Sequence, residues 1–130
     1  TKNKNELFWA GANNPLWIVK KQSAPDDPSC LQEIKPDKQP IGKYSESNHF
    51  TTHKVILQKG DIVYLFTDGF SDQFGGEKGK KFKASAMKEL LISLGEISMD
   101  LQKARINETF DHWKGSLEQV DDVSIFGFRI

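Results

Sequence analysis

The sequence predicts an α+β fold: antiparallel β-sheets with a helix pair against one outer face. Three observations carry that prediction. Ile62-Val63-Tyr64-Leu65-Phe66 is an unbroken apolar run, rich in β-branched and aromatic residues and bounded by Gly60 and Gly69, which reads as a strand buried on both faces. Two later segments carry apolar residues at helical spacing, Met87, Leu90, Leu91 and Leu94, then Met99, Ile106, Phe110 and Trp113. A final strand-like segment, Val123 to Ile130, follows them. Strands, two helices and a last strand give sheets with helices segregated to one side.

Leu7 to Ala10 and Leu16 to Val19 read as short strands, and Gly11-Ala12-Asn13-Asn14-Pro15 between them carries the turn residues of a hairpin. Asn13 and Asn14 serve there as turn formers. Lys21 to Ser29 holds Pro25 and Pro28 and reads as a loop, Leu31 to Ile34 as a short edge strand, and Pro36 to Gly42 again as a loop. Phe50 to Leu57 is the next strand. Gln58-Lys59-Gly60 then offers a three-residue hairpin connection to Ile62–Phe66, with glycine where a left-handed residue is needed. Phe74 to Lys83 is a loop rich in glycine and lysine, and its lysines read as a solvated basic surface. Ser85 is the expected cap of the first helix. Ser98 is the expected cap of the second, with Asp100 favourable in its first turn and Gly115 closing it.

The 130 residues amount to one domain, 1–130, large enough to bury a core. Eighteen basic residues balance eighteen acidic ones, so the basic excess of a nucleic-acid binder is absent. No apolar run approaches the ~20 residues that span a bilayer, so no membrane segment is expected within this stretch. Cys30 is the lone cysteine and cannot form an internal disulfide, which is compatible with a cytoplasmic setting. The chain begins at Thr1 almost directly on a strand, which reads as a segment of a longer protein.

The chemistry-bearing residues are carboxylates. Asp68 follows the apolar run, and Gly69 frees the backbone to turn there. A carboxylate at the end of a stiff core strand suits a hard cation such as Mg²⁺ or Mn²⁺, which prefers oxygen ligands. Asp121 and Asp122 open the C-terminal strand. If the two strands are antiparallel neighbours, Asp68 and Asp121 meet at one sheet edge, where like charges repel unless a cation intervenes. Asp72 is read as a helix cap or as a hydrogen-bonding neighbour of the metal ligands. Asp122 would point opposite to Asp121 on a strand and act as hydrogen-bonding support.

Other site types are excluded by spacing. His49 and His53 on one strand would lie about 13 Å apart, too far to chelate one ion. No arginine follows Cys30 closely enough for a cysteine-nucleophile phosphatase loop. Gly75 to Lys81 has the wrong glycine spacing for a nucleotide loop, and no Ser or Thr follows the lysine. There is no Gly-x-Ser-x-Gly elbow.

Leu57-x-x-Gly60-Asp61-x-x-x-Leu65-x-Thr67-Asp68-Gly69, followed by Asp121-Asp122-x-Ser124, resembles the C-terminal half of the metal-dependent PPM serine/threonine phosphatases, in their bacterial SpoIIE-like branch. Ala10-Gly11-Ala12-Asn13-Asn14-Pro15-Leu16 is similar to that branch's Ala-Gly-His-Asn-Pro-Pro motif, with Ala12 in place of the histidine, and Pro40-Ile41-Gly42 to its Pro-Leu-Gly turn. These motifs run in the family's order from about Ala10 to Ile130. The resemblance implies an αββα sandwich, of which this chain supplies the later strands and one helix pair. It also implies hydrolysis of a phosphoserine or phosphothreonine protein by water activated between two Mn or Mg ions, without a phosphoenzyme. By motif match Asp68 and Asp121 would ligate one metal, with Gly69, Asp72 and Asp122 around them. The family's N-terminal Asp-Gly-rich metal motif has no counterpart here, so the fragment is expected to be inactive alone. The alternative expectation is a non-catalytic regulatory module that self-associates through open sheet edges.

Overall fold

The computed structural model describes residues 5–21, 27–42 and 48–130. Its strands are β1 (Asn5–Trp9), β2 (Leu16–Val19), β3 (Leu31–Ile34), β4 (His53–Leu57), β5 (Ile62–Phe66), β6 (Phe74–Gly75), β7 (Lys80–Lys81) and β8 (Ile125–Arg129). The helices are α1 (Ala84–Ser93) and α2 (Met99–Lys114), with a 3₁₀ turn at Pro28–Cys30. Part of the expected loop from Lys21 to Ser29, including Pro25, lies outside the described residues.

Three layers result. A four-stranded antiparallel sheet, ordered β3-β2-β5-β8, lies in the middle. The two-stranded sheet β1-β4 covers one side of it, and α1 and α2 cover the other. The alternation of β2 shows how the sequence serves both sides: Leu16 and Ile18 join Val55, Leu57 and Val63 between the sheets, while Trp17 and Val19 join Ile62, Tyr64, Met87 and Leu91 under the helices. Each such fully buried side chain contributes about 1.5–3 kcal/mol. The α+β prediction with one helix-covered outer face therefore holds.

The two expected hairpins do not form. β1 pairs with β4 rather than β2, because the turn between β1 and β2 spends its backbone groups on Asp37: Asp37 N donates to Gly11 O and Asn13 N to Asp37 O, both at 2.9 Å. Asn13, at φ 63°, is the turn former expected. β4 and β5 likewise belong to different sheets, and the Gln58–Asp61 turn carries the chain between them, with Gly60 at φ 98°. A corner and a hairpin use the same turn residues, and the need to bury both faces of the central sheet selects the corner.

Ser98 caps α2 by accepting from Leu101 N at 3.3 Å, and Gly115 closes the helix at φ 54°. Ser85 caps nothing: α1 starts at Ala84, after Lys83 at φ 78°, whose N–H donates to Ser71 O. Gln102 is buried in α2, where the Tyr64 hydroxyl donates to its Oε1 and its Nε2 donates to Leu94 O at 2.8 Å. Burial pushes the Tyr64 phenol up to about 12, against the opposing pull of Arg129 and Gln102. The Gly/Lys loop contains a small hairpin, β6-β7.

Candidate metal-binding edge

β5 and β8 are antiparallel neighbours in the register Ile62↔Arg129 to Phe66↔Ile125. The end of β5 and the start of β8 therefore share one edge, and the loops carrying Asp68 and Asp121 emerge there together. A backbone and hydroxyl clip joins them. Thr67 N donates to Ser124 O at 3.0 Å, Ser124 N to Thr67 Oγ1 at 3.1 Å, and Thr67 Oγ1 to Asp122 O at 3.4 Å. Gly69 is packed so closely that a Cβ there would lie 2.2 Å from Asp122 O. Gly69 thus serves close approach, besides the turn the sequence foretold.

The Asp68 loop is stiff although Asp68 itself is exposed. Phe70 is buried against Phe82 and Phe110, with ring centroids 5.1 and 5.2 Å away. Asp72 N and Ser71 Oγ both donate to Asp68 O, at 2.9 and 3.1 Å. The Asp68 carboxylate takes no hydrogen bond or ion pair among the described residues. An unpaired carboxylate on a rigid turn is available to an external cation.

Asp121 and Asp122 depart from the sequence expectation. They lie in an irregular segment before β8, which starts only at Ile125, so the alternating strand geometry expected for them does not apply. Asp121 Oδ1 accepts from Asp122 N at 2.8 Å, and Asp122 meets Thr67 through its backbone carbonyl rather than its carboxylate. Asp72 caps no helix. Its carboxylate lies 3.6 Å from Lys81 Nζ, across the small hairpin. The reason is that the chain after Asp68 forms tight turns and β6-β7 before any helix begins.

A divalent cation fits the donor chemistry in part. Asp68 and Asp121 offer hard oxygen ligands at a shared edge, as Mg²⁺ or Mn²⁺ requires. Among the described residues no group of three or more His, Cys, Asp or Glu converges. A groove of about 670 Å³ lies between α2 and β8, beside Tyr64, Gln102, Asn107 and Gly127.

The sequence reading missed two supports. The Thr67–Ser124 clip was legible only once the strand pairing was known. Gln73, fully buried, stands between the Asp68 turn and the loop read from Phe74, and nothing in its local pattern marks it as core.

Comparison with known proteins identifies the family that shares these two sheets and their outer helix pair. The family model described as stage II sporulation protein E (SpoIIE) matches residues 1–130, and the chain belongs to that family. The SiaA-PP2C domain of Pseudomonas aeruginosa is 28% identical, with a TM-score of 0.81 over 96% of this chain and 46% of that one. The RsbU and RsbW domains of Rv1364c from Mycobacterium tuberculosis give 18% identity and a TM-score of 0.69 over 97% of this chain and 32% of theirs. The PP2C phosphatase domain of SpoIIE from Bacillus subtilis, with a fragment of its regulatory domain, gives 19% and 0.63 over 96% and 33%. The last two likenesses show the fold alone. The chain spans less than half the length of each of these structures. No curated protein matches it. Family membership supports a phosphatase-type function. Among the described residues no helix is long and apolar enough to cross a membrane.

Proposed function

We propose that this chain is part of a metal-dependent protein serine/threonine phosphatase, supplying one side of its metal site through Asp68 and Asp121. The observation that supports this most is the clip that binds the two aspartate loops into one edge, in a chain of a phosphatase family. Mn or Mg, when bound, supplies an activated water for attack on a phosphoserine or phosphothreonine ester. Asp68 offers a free carboxylate from a turn anchored by Phe70, and Asp121 a second one from the facing loop. Gly69 lets the loops touch, Asp122 holds Thr67 through its carbonyl, and Asp72 fixes the β6-β7 hairpin through Lys81. Further ligands come from outside this chain, so the fragment by itself turns over no substrate. A cytoplasmic setting belongs to this reading, with Cys30 buried and free.

The test is Mn²⁺-dependent hydrolysis of an aryl phosphate by this chain and by a protein extended upstream by about 100 residues, near the size of a full domain. Activity in the longer protein alone, abolished by Asp68→Asn, is expected. Activity unaffected by Asp68→Asn overturns the assignment.

A second reading, a non-catalytic module that self-associates, is favoured by one feature. β8 is an edge strand, and Phe126 and Leu65, paired across β8 and β5, are 61% and 38% exposed. Both lie beyond the cover of β1-β4, and a second copy could pair with and bury that edge. Light scattering that shows a monomer at high concentration overturns this reading.

A further inference from the structure

We infer that Gln73 is a positioning residue for the metal-binding edge, acting as the brace that fixes how far apart the two aspartate loops stand. The inference rests on the phosphatase reading above for its consequence, and on hydrogen bonding for its geometry. Gln73 is 0% exposed. Its Nε2 donates to Phe74 O and to Glu118 O, each at 3.0 Å. The first bond stays within the segment that carries Asp68 and Asp72. The second crosses to the segment that carries Asp121, three residues before it.

The backbone of Gln73 is fixed independently. Its carbonyl accepts from Trp113 Nε1 at 2.8 Å and from Phe82 N at 3.0 Å. Gly76 N donates to Trp113 O at 3.0 Å, and a Cβ on Gly75 would lie 2.0 Å from that same oxygen. The C-terminal end of α2 thus holds Gln73, and Gln73 holds the loop that leads to Asp121. Without this brace the exposed, irregular segment from Leu117 to Asp121 would be tied at its far end by the Thr67 clip and near α2 by two bonds to Lys114, Leu117 N to its carbonyl and its Nζ to Leu117 O.

Burying an amide costs free energy that its bonds only offset, and the Oε1 of Gln73 meets no protein donor among the described residues. Buried polar exceptions of this kind concentrate where geometry matters more than stability. Residues that orient metal ligands from behind typically change metal affinity 10- to 100-fold when replaced.

Gln73→Met keeps the side chain's length and removes both N–H donors. In the upstream-extended protein, Mn²⁺ titration followed by melting temperature should move its midpoint up about tenfold, beside a lower metal-free melting temperature from the two stranded carbonyls. In the metal-free chain, amide hydrogen exchange from Leu117 to Asp122 should accelerate while exchange in β5 stays unchanged. Gln73→Leu also lacks the donors and is less bulky, so it serves if the Met variant does not fold, with the same expectations. If Asp68→Asn abolishes the Mn²⁺ response but the Gln73 variants titrate like the wild type, the positioning role is overturned and the phosphatase reading stands. If Asp68→Asn leaves the Mn²⁺ response intact, the metal assignment itself fails. Unchanged exchange from Leu117 to Asp122 overturns the brace regardless of metal.

Discussion

β5 carries an aspartate at each end, and the two have opposite surroundings. Asp61, before the strand, is 1% exposed. Its carboxylate accepts from Gln58 N at 2.8 Å, Lys21 N at 3.0 Å and Lys20 Nζ at 3.1 Å. Burial alone would raise its pKa, but the two N–H groups and the Lys20 ammonium outweigh burial and hold it below the ordinary 3.8. Asp68, after the strand, is exposed and takes no protein donor among the described residues. One carboxylate is consumed by the fold, sealing the corner where the chain passes from one sheet to the other. The other is presented on a stiffened turn with its bonding capacity unspent. Satisfaction of the charge, rather than the presence of an aspartate, separates a structural carboxylate from one available to a cation.

The largest effect should follow from removing the consumed one. Asp61→Ala strands two buried N–H donors and a lysine, and should cost about 3 kcal/mol, seen as a fall of roughly 10 °C in melting temperature. A change below 2 °C would break the comparison. Gly69→Ala comes next. The added Cβ meets Asp122 O at 2.2 Å, so the aspartate loops must part, at about 1–3 kcal/mol, and NMR shifts should spread from Thr67 to Ser124 while Asp61 and its partners stay put.

Acid sharpens the contrast further. Because the native pKa of Asp61 is depressed, the unfolded chain binds more protons and stability rises with pH through that range. Its contribution is complete above the ordinary 3.8 and fades as pH falls through the lower native value. Urea unfolding should show the stability gap between wild type and Asp61→Asn narrowing below about pH 4. The smallest effect belongs to Asp68→Asn without metal. It removes an exposed charge that takes no protein donor among the described residues and should leave the melting temperature unchanged or slightly raised, while any Mn²⁺-induced stabilisation disappears. A loss of several degrees would mean that Asp68 is spent on the fold after all.

The contrast between these aspartates was only half legible in the sequence. Asp68 stood out because an apolar run ends there in Asp-Gly, and Asp121-Asp122 because they precede another apolar segment. Asp61 entered only as a member of the family motif and had no role read for it, since its partners Lys20 and Lys21 lie some forty residues away and only the meeting of two sheets brings them near. Gln73 was invisible for the same reason: it follows the Asp68 turn as one more polar residue, and its burial comes from Trp113 and Glu118, distant in sequence.

Periodicity, capping and turn chemistry are local, and the sequence alone determined what depends on them. That includes most strand positions, both helices with the Ser98 and Gly115 ends of α2, the helix-covered face, and the aspartates worth testing. Which strands pair is not local. The same Gly and Asn turn residues close a hairpin or turn a corner, and burial of both faces of the central sheet decided for the corner at Gly11–Pro15 and again at Gln58–Asp61. Only the tertiary structure, by pairing β5 with β8 and pressing Gly69 onto Asp122, brought two loops more than fifty residues apart to one edge.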